Sequence, residues 1–156
     1  MDKEHLIAKA VEAVASNVVG EVKGNRLLDY MVNNGKVLYL KSLLLPSTPD
    51  TVLLEWTTNQ LNWMENNYNE RELWTQIIKR ELLYSTRKSE FDKLIGASPK
   101  GATWMPKESP GKSANWIGWQ IVKAYMQRNP ETTVAELMAI EEAQKVLDGS
   151  KYRPER

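Results

Sequence analysis

Cysteine is absent from the 156 residues, so disulfides, thiolate metal sites and cysteine nucleophiles are excluded. Histidine occurs once, as His5. A Ser-His-Asp triad needs a histidine, and catalytic zinc sites usually use two or three. His5 lies near a chain end, where order is poor. Charge of one sign is lacking too. Twenty-one Lys and Arg face twenty Asp and Glu, and the net charge of +1 supplies no field to attract nucleic acid or an anionic membrane. The longest apolar run, in "KVLYLKSLLLP", is interrupted by Lys41 and Ser42. It falls far short of the ~18 residues that would suggest a membrane span. The first twelve residues carry charge throughout and show no leader pattern, so the expectation is a soluble chain.

What is present suits one domain over 1–156: 42% hydrophobic and 26% charged residues. Apolar residues recur at helical spacing, and no segment alternates with period two. The spacing predicts a helix over 3–22 with Leu6, Ala10, Ala13, Val14 and Val18 on one stripe, stopped by Gly24 and Asn25. A second helix is expected over 26–45, broken or kinked at Asn33-Asn34-Gly35 and ended by Pro46. Thr48, Pro49 and Asp50 open a third that runs to about Glu65. Asn69 and Glu72 have capping-box spacing at the start of the next, and a short helix covers 88–95. Residues 96–113 form a long loop rich in Gly and Pro. A helix from Ser113 to Arg128 follows, then one from Thr133 to Gly149, opened by a Thr133/Glu136 capping box. The fold class is all-α: an irregular bundle of six to seven helices with one long Gly/Pro-rich loop.

Chemistry-bearing groups are sparse. Ser109, Pro110, Gly111 and Lys112 lead into a helix that opens with Trp116 and Trp119. Backbone N–H groups at a helix start attract anions, and Lys112 would add charge. The segment lacks the spacing of a phosphate loop, so the plain reading is a capped helix start. Trp116 and Trp119 share a face, which reads as core. Together with Trp104 they are also candidates for a peptide- or carbohydrate-binding pocket. Gly118, costly by roughly 1 kcal/mol inside a helix, implies a second backbone packed against it. Glu12 sits in the small, apolar run "AVEAVASNVV", where a carboxylate needs a partner or a wet pocket. It cannot share a metal with His5 along one helix, because seven residues rise about 10.5 Å.

The segments "GKVLYLKSLLLP", "LNWMENNYNERELW", "ELLYST", "ESPGKSANWIGWQIVKAYM" and "DGSKYRP" carry a resemblance. In that order they look like the C-terminal half of the gliding-motility-associated lipoprotein B family of Bacteroidetes, with 108–126 the most specific part. That family is similar to a broader group of predicted zinc-dependent proteases. Such relatives place a His-Glu-x-x-His helix first and a downstream Glu as third ligand. The resemblance makes Glu12 a vestigial ligand. It departs from the pattern at Ala13, which replaces a Gly, and at Asn17, which stands where relatives often carry an acid. No His-Glu-x-x-His lies in the chain, so zinc is expected only with a missing N-terminal part. The lipid-attachment Cys is absent as well. In the loop, Lys112 replaces an Arg, so a forked guanidinium contact is lost.

The resemblance implies a bacterial cell-envelope setting. Three functions are expected from these readings. The first is a non-catalytic helical domain of a gliding-motility or envelope protein that acts through contacts with a protein partner. The second is the C-terminal half of a metallopeptidase-like fold. The third is the peptide- or carbohydrate-binding module.

Overall fold

The computed structural model describes residues 2–98 and 101–154. The chain runs α1 (Lys3–Val19), α2 (Leu27–Leu44), α3 (Asp50–Leu54), α4 (Thr58–Glu65), α5 (Asn67–Lys79), a 3₁₀ turn (Lys88–Glu90), α6 (Asp92–Ile95), α7 (Ser113–Arg128), α8 (Val134–Ala139) and α9 (Ala143–Ser150). No strand occurs among the described residues, and the irregular all-α bundle agrees with the periodicity. The helices among the described residues number nine rather than six or seven because two expected helices are each divided.

The helix expected over 48–65 is broken by Glu55, whose φ of 57° is left-handed. Thr57 then restarts the chain in a capping box. Its hydroxyl accepts from the Gln60 N–H at 3.2 Å, and its own N–H donates to Gln60 Oε1 at 2.9 Å. The helix expected over 133–149 does open with the Thr133/Glu136 box, but it breaks at Ile140. The Ile140 carbonyl accepts instead from the Lys36 ammonium at 2.5 Å. The helix α5 is capped by Asn66, not by the expected Asn69/Glu72 box. The Asn66 side chain accepts from the Tyr68 N–H, while the Asn69 amide donates to the Trp63 carbonyl and ties α5 to α4.

At the centre, α2 crosses α7, the most extensive helix pair. Gly35 faces the Gly118 carbonyl, and a side chain on Gly118 would collide with the Met31 carbonyl. Asn33-Asn34-Gly35 is therefore no break. The helix α2 continues through it, and Gly35 is the point where α7 comes close. Leu28, Met31 and Val32 of α2 pack with Trp116, Ile117, Trp119, Ile121 and Val122 of α7 in one contiguous core. The C-terminal segment is pinned by Tyr152, whose hydroxyl donates to Glu70 at 2.7 Å and whose ring meets Trp74 edge-on at 5.1 Å.

The helix α1 starts where Asp2 accepts from the His5 N–H, and it ends at Gly20 (φ 82°), earlier than the expected Gly24. Its amphipathic stripe is real but points the other way. Ala8 and Ala15 are buried, whereas Leu6 is 62% exposed, Val14 57% and Val18 55%. Ile7, Ala10 and Ala13 are exposed with them. No described helix is long and apolar enough to cross a membrane.

Candidate functional site

Two left-handed residues face each other across a cleft. Glu55 ends α3, and Lys112 (φ 60°) precedes α7. Their side chains approach to 3.7 Å, and Glu55 also pairs with Lys9 at 2.9 Å. The Lys9 hydrogen bond, with Lys112 and Lys41 nearby, holds the Glu55 carboxyl below its ordinary range despite partial burial. Their chain neighbours join as well: the Trp56 indole N–H donates to the Gly111 carbonyl at 3.1 Å. Gly111 itself lies against the Ser98 backbone, where a Cβ would stand 2.5 Å from the Ser98 carbonyl oxygen. The loop 96–113 is thus folded onto α3; its Pro99 and Lys100 lie outside the described residues.

Behind this pair sits Lys41, 1% exposed. Its ammonium donates to the Leu53 carbonyl at 2.8 Å and to Glu12 Oε1 at 3.3 Å. Burial pushes the Lys41 pKa down, and Glu12 opposes that shift. Glu12 therefore has the partner its apolar surroundings demand. The cleft has two adjoining lobes that share Leu54 and Lys112. The larger, about 420 Å³, is bordered by Glu55, Trp56 and Gly111. The smaller, about 150 Å³, is bordered by Glu12, Asn34 and Asn115. Asn34 donates to Asn115 at 2.9 Å, and Asn115 donates to the Ile95 carbonyl at 2.9 Å. Three ammoniums, of Lys9, Lys41 and Lys112, thus share two carboxylates, of Glu12 and Glu55.

The loop residues singled out in the sequence converge here, mostly as supports. Ser109 and Pro110 are buried, and the Ser109 hydroxyl donates to the Pro106 carbonyl. Lys112 is the one of them whose charge reaches the cleft. Trp116 and Trp119, 6% and 3% exposed, belong to the core. They do not share a pocket with Trp104, which is partly buried elsewhere. Trp104 lines a separate cleft of about 330 Å³ with Trp63, Tyr68 and Glu72, under the Arg80 guanidinium at 4.6 Å from its ring centre. Two charges of the cleft, Lys41 and Glu55, were not among the candidate site residues of the sequence. Their one sequence signal is a lysine interrupting an apolar run.

The family model for "Gliding motility protein GldB" matches residues 1–154. The chain belongs to the GldB family. No curated protein and no solved structure matches it. The "ESPGKSANWIGWQIVKAYM" segment of this GldB family chain supplies both halves of its architecture. Its loop part closes the cleft, and its helical part is the inner face of α7.

A zinc role for Glu12 does not fit the residues present in this GldB family chain. Its carboxylate lies beside a buried ammonium, which would repel a dication. The His5 ring engages Asp2 at 2.8 Å at the start of α1. Among the described residues no group of three or more His, Cys, Asp or Glu side chains could hold a metal ion.

Proposed function

We propose that this GldB family chain is a non-catalytic helical domain that serves gliding motility at the cell envelope through contacts with a protein partner. The observation that carries this reading is the outer face of α1. Leu6, Ile7, Val14 and Val18 stand exposed in a row along one helix, with Ala10 and Ala13 between them. A contiguous apolar face of that kind marks an interaction surface far more often than scattered apolar residues do. The charged cleft supports the same reading, since its groups pair with each other. The test is a Leu6→Asp/Val14→Asp variant in a gliding bacterium whose own copy is deleted. Loss of spreading, with an unchanged thermal melt of the purified variant, is the expected result. Normal spreading would count against the proposal.

A second reading, a peptide- or carbohydrate-binding module, is favoured by the cleft at Trp104. There Trp63 and Tyr68 take the places expected for Trp116 and Trp119. Aromatic faces beside Glu72, Gln76 and Arg80 suit a ligand with apolar faces and polar edges. Under this reading, Trp104→Ala abolishes ligand-induced changes in tryptophan fluorescence.

A further inference from the structure

We infer that the cavity at the C-terminal ends of α7 and α9 receives an acidic segment of a protein partner, with one apolar residue of that segment between flanking carboxylates. This inference rests on the protein-contact reading above and names the chemistry of a partner.

Tyr152 pins the C-terminal segment, but Lys151 and Arg153 on either side of it pin nothing. Lys151 is the C-cap of α9, and its left-handed backbone (φ 50°) turns the chain out of the helix. The Ser150 hydroxyl then accepts from the Tyr152 N–H at 3.1 Å and fixes the turn. Arg128, the last residue of α7, is the third cation. All three border one cavity of about 510 Å³, within the usual range of ligand sites.

Among the described residues, none of these three cations forms an ion pair. The carboxylate on the same cavity, Asp148, accepts from the Gln144 amide at 2.8 Å. Positive charge is therefore in surplus here, in a chain whose net charge is only +1. The cleft at Glu55 differs, because each of its ammoniums lies against a carboxylate. Trp74, Leu147 and Tyr152 supply the apolar lining, and the Trp74 ring meets Tyr152 edge-on. A ligand that fits both features carries negative charge beside an apolar group.

Position selects the kind of anion. The cavity lies where two helices end, so the dipoles there are negative and the terminal carbonyls offer no donors to a compact phosphate. Carboxylates spread along a chain meet the tips of the exposed Arg128, Lys151 and Arg153 side chains instead. A lipid surface would need protruding apolar groups to insert. None of the large exposed apolar side chains borders this cavity. Trp74 and Tyr152 are partly buried, and Glu70 holds the Tyr152 hydroxyl. Single-stranded nucleic acid needs a basic track with successive aromatic platforms, which one cavity does not supply.

The probe is a fluorescein-labelled peptide of sequence EDDLDDE, titrated with the full chain at low salt. A saturable rise in polarisation is expected, weakened severalfold at high salt because exposed charge pairs are screened. Arg128→Glu with Arg153→Glu should weaken binding about tenfold or more and leave the thermal melt unchanged. The same double variant should bind the reversed peptide KKKLKKK better than the parent does. A purely structural role for the two arginines would not produce that exchange. A peptide with glycine in place of leucine should bind severalfold more weakly.

Absence of saturable binding by the parent overturns the inference, and so does equal binding by the double variant. Tighter binding of oligothymidylate or of phosphatidylglycerol vesicles through the same cations overturns it as well. The two proposals fail separately. If the α1 variant abolishes spreading and the double arginine variant does not, the acidic partner of this cavity falls alone. If the peptide binds as expected but neither variant affects spreading, the motility reading falls alone.

Discussion

Asp29 closes the start of α2 from inside the helix. It accepts from the Arg26 backbone N–H at 2.9 Å, and from the guanidinium at 3.0 and 2.8 Å. Burial pushes its pKa up, but the hydrogen bonds and charge of Arg26 outweigh burial and hold the carboxyl below its ordinary range. Asp29→Asn is expected to cost about 1–3 kcal/mol at neutral pH, the usual cost of losing a charged hydrogen-bond partner. A depressed carboxyl adds stability that is complete above its unfolded pKa, near 4, and is lost as pH falls through the folded value. The gap between parent and variant should therefore shrink below about pH 4. Urea titrations at neutral and acidic pH measure it, and a constant gap would show that the carboxylate charge is not what matters. Trp119 offers a second case. It is buried, its indole N–H has no hydrogen-bond partner, and Lys123 stands 4.2 Å above its ring. Trp119→Ala should cost about 3–5 kcal/mol. Trp119→Phe should cost clearly less, because it discards an unsatisfied donor and keeps a ring under Lys123. Equal losses in denaturant melts would mean that the N–H does have a partner.

Between elements, the decisive contact is the crossing of α2 and α7. Helix propensity alone says that Gly118→Ala gains about 1 kcal/mol. The crossing says the reverse, since the new methyl would meet the Met31 carbonyl. Overpacking against backbone typically costs 1–3 kcal/mol or more, so a net loss of about 2 kcal/mol or greater is expected. A variant as stable as the parent would mean that the helices separate at little cost. Gly118 was legible as a close approach because a glycine inside a strongly apolar helix is costly unless a second backbone packs against it. Gly35 was not. Preceded by two asparagines, it has the composition of a turn, and only the backbone across from it accounts for its presence. The same limit applies to Ile140 and Glu55, where long-range partners interrupt helices whose local patterns would continue.

For the molecule as a whole, the buried apolar residues other than Ala8, Ala15 and Val52 form one cluster that draws on α2 to α9. A single cooperative unfolding transition is expected, followed equally by far-ultraviolet circular dichroism and tryptophan fluorescence. Two separated transitions would divide the core. The outer face of α1 lies outside that cluster, so charges introduced at Leu6 and Val14 should leave the midpoint unchanged.

Periodicity, caps and breakers determined the all-α class and most helix positions, because those signals act within a few residues. The need of Glu12 for a partner was also readable, since a carboxylate in an apolar run is costly by itself. That the partner is Lys41, 29 positions away, was decided only by the packing of α1 on α2. Tertiary structure likewise decided which side of α1 is inside. An apolar stripe says that one face seeks cover, but not whether this bundle provides it. Ala8 and Ala15 let α1 sit close to α2, and their small size turns the larger side chains outward, where a second surface can meet them.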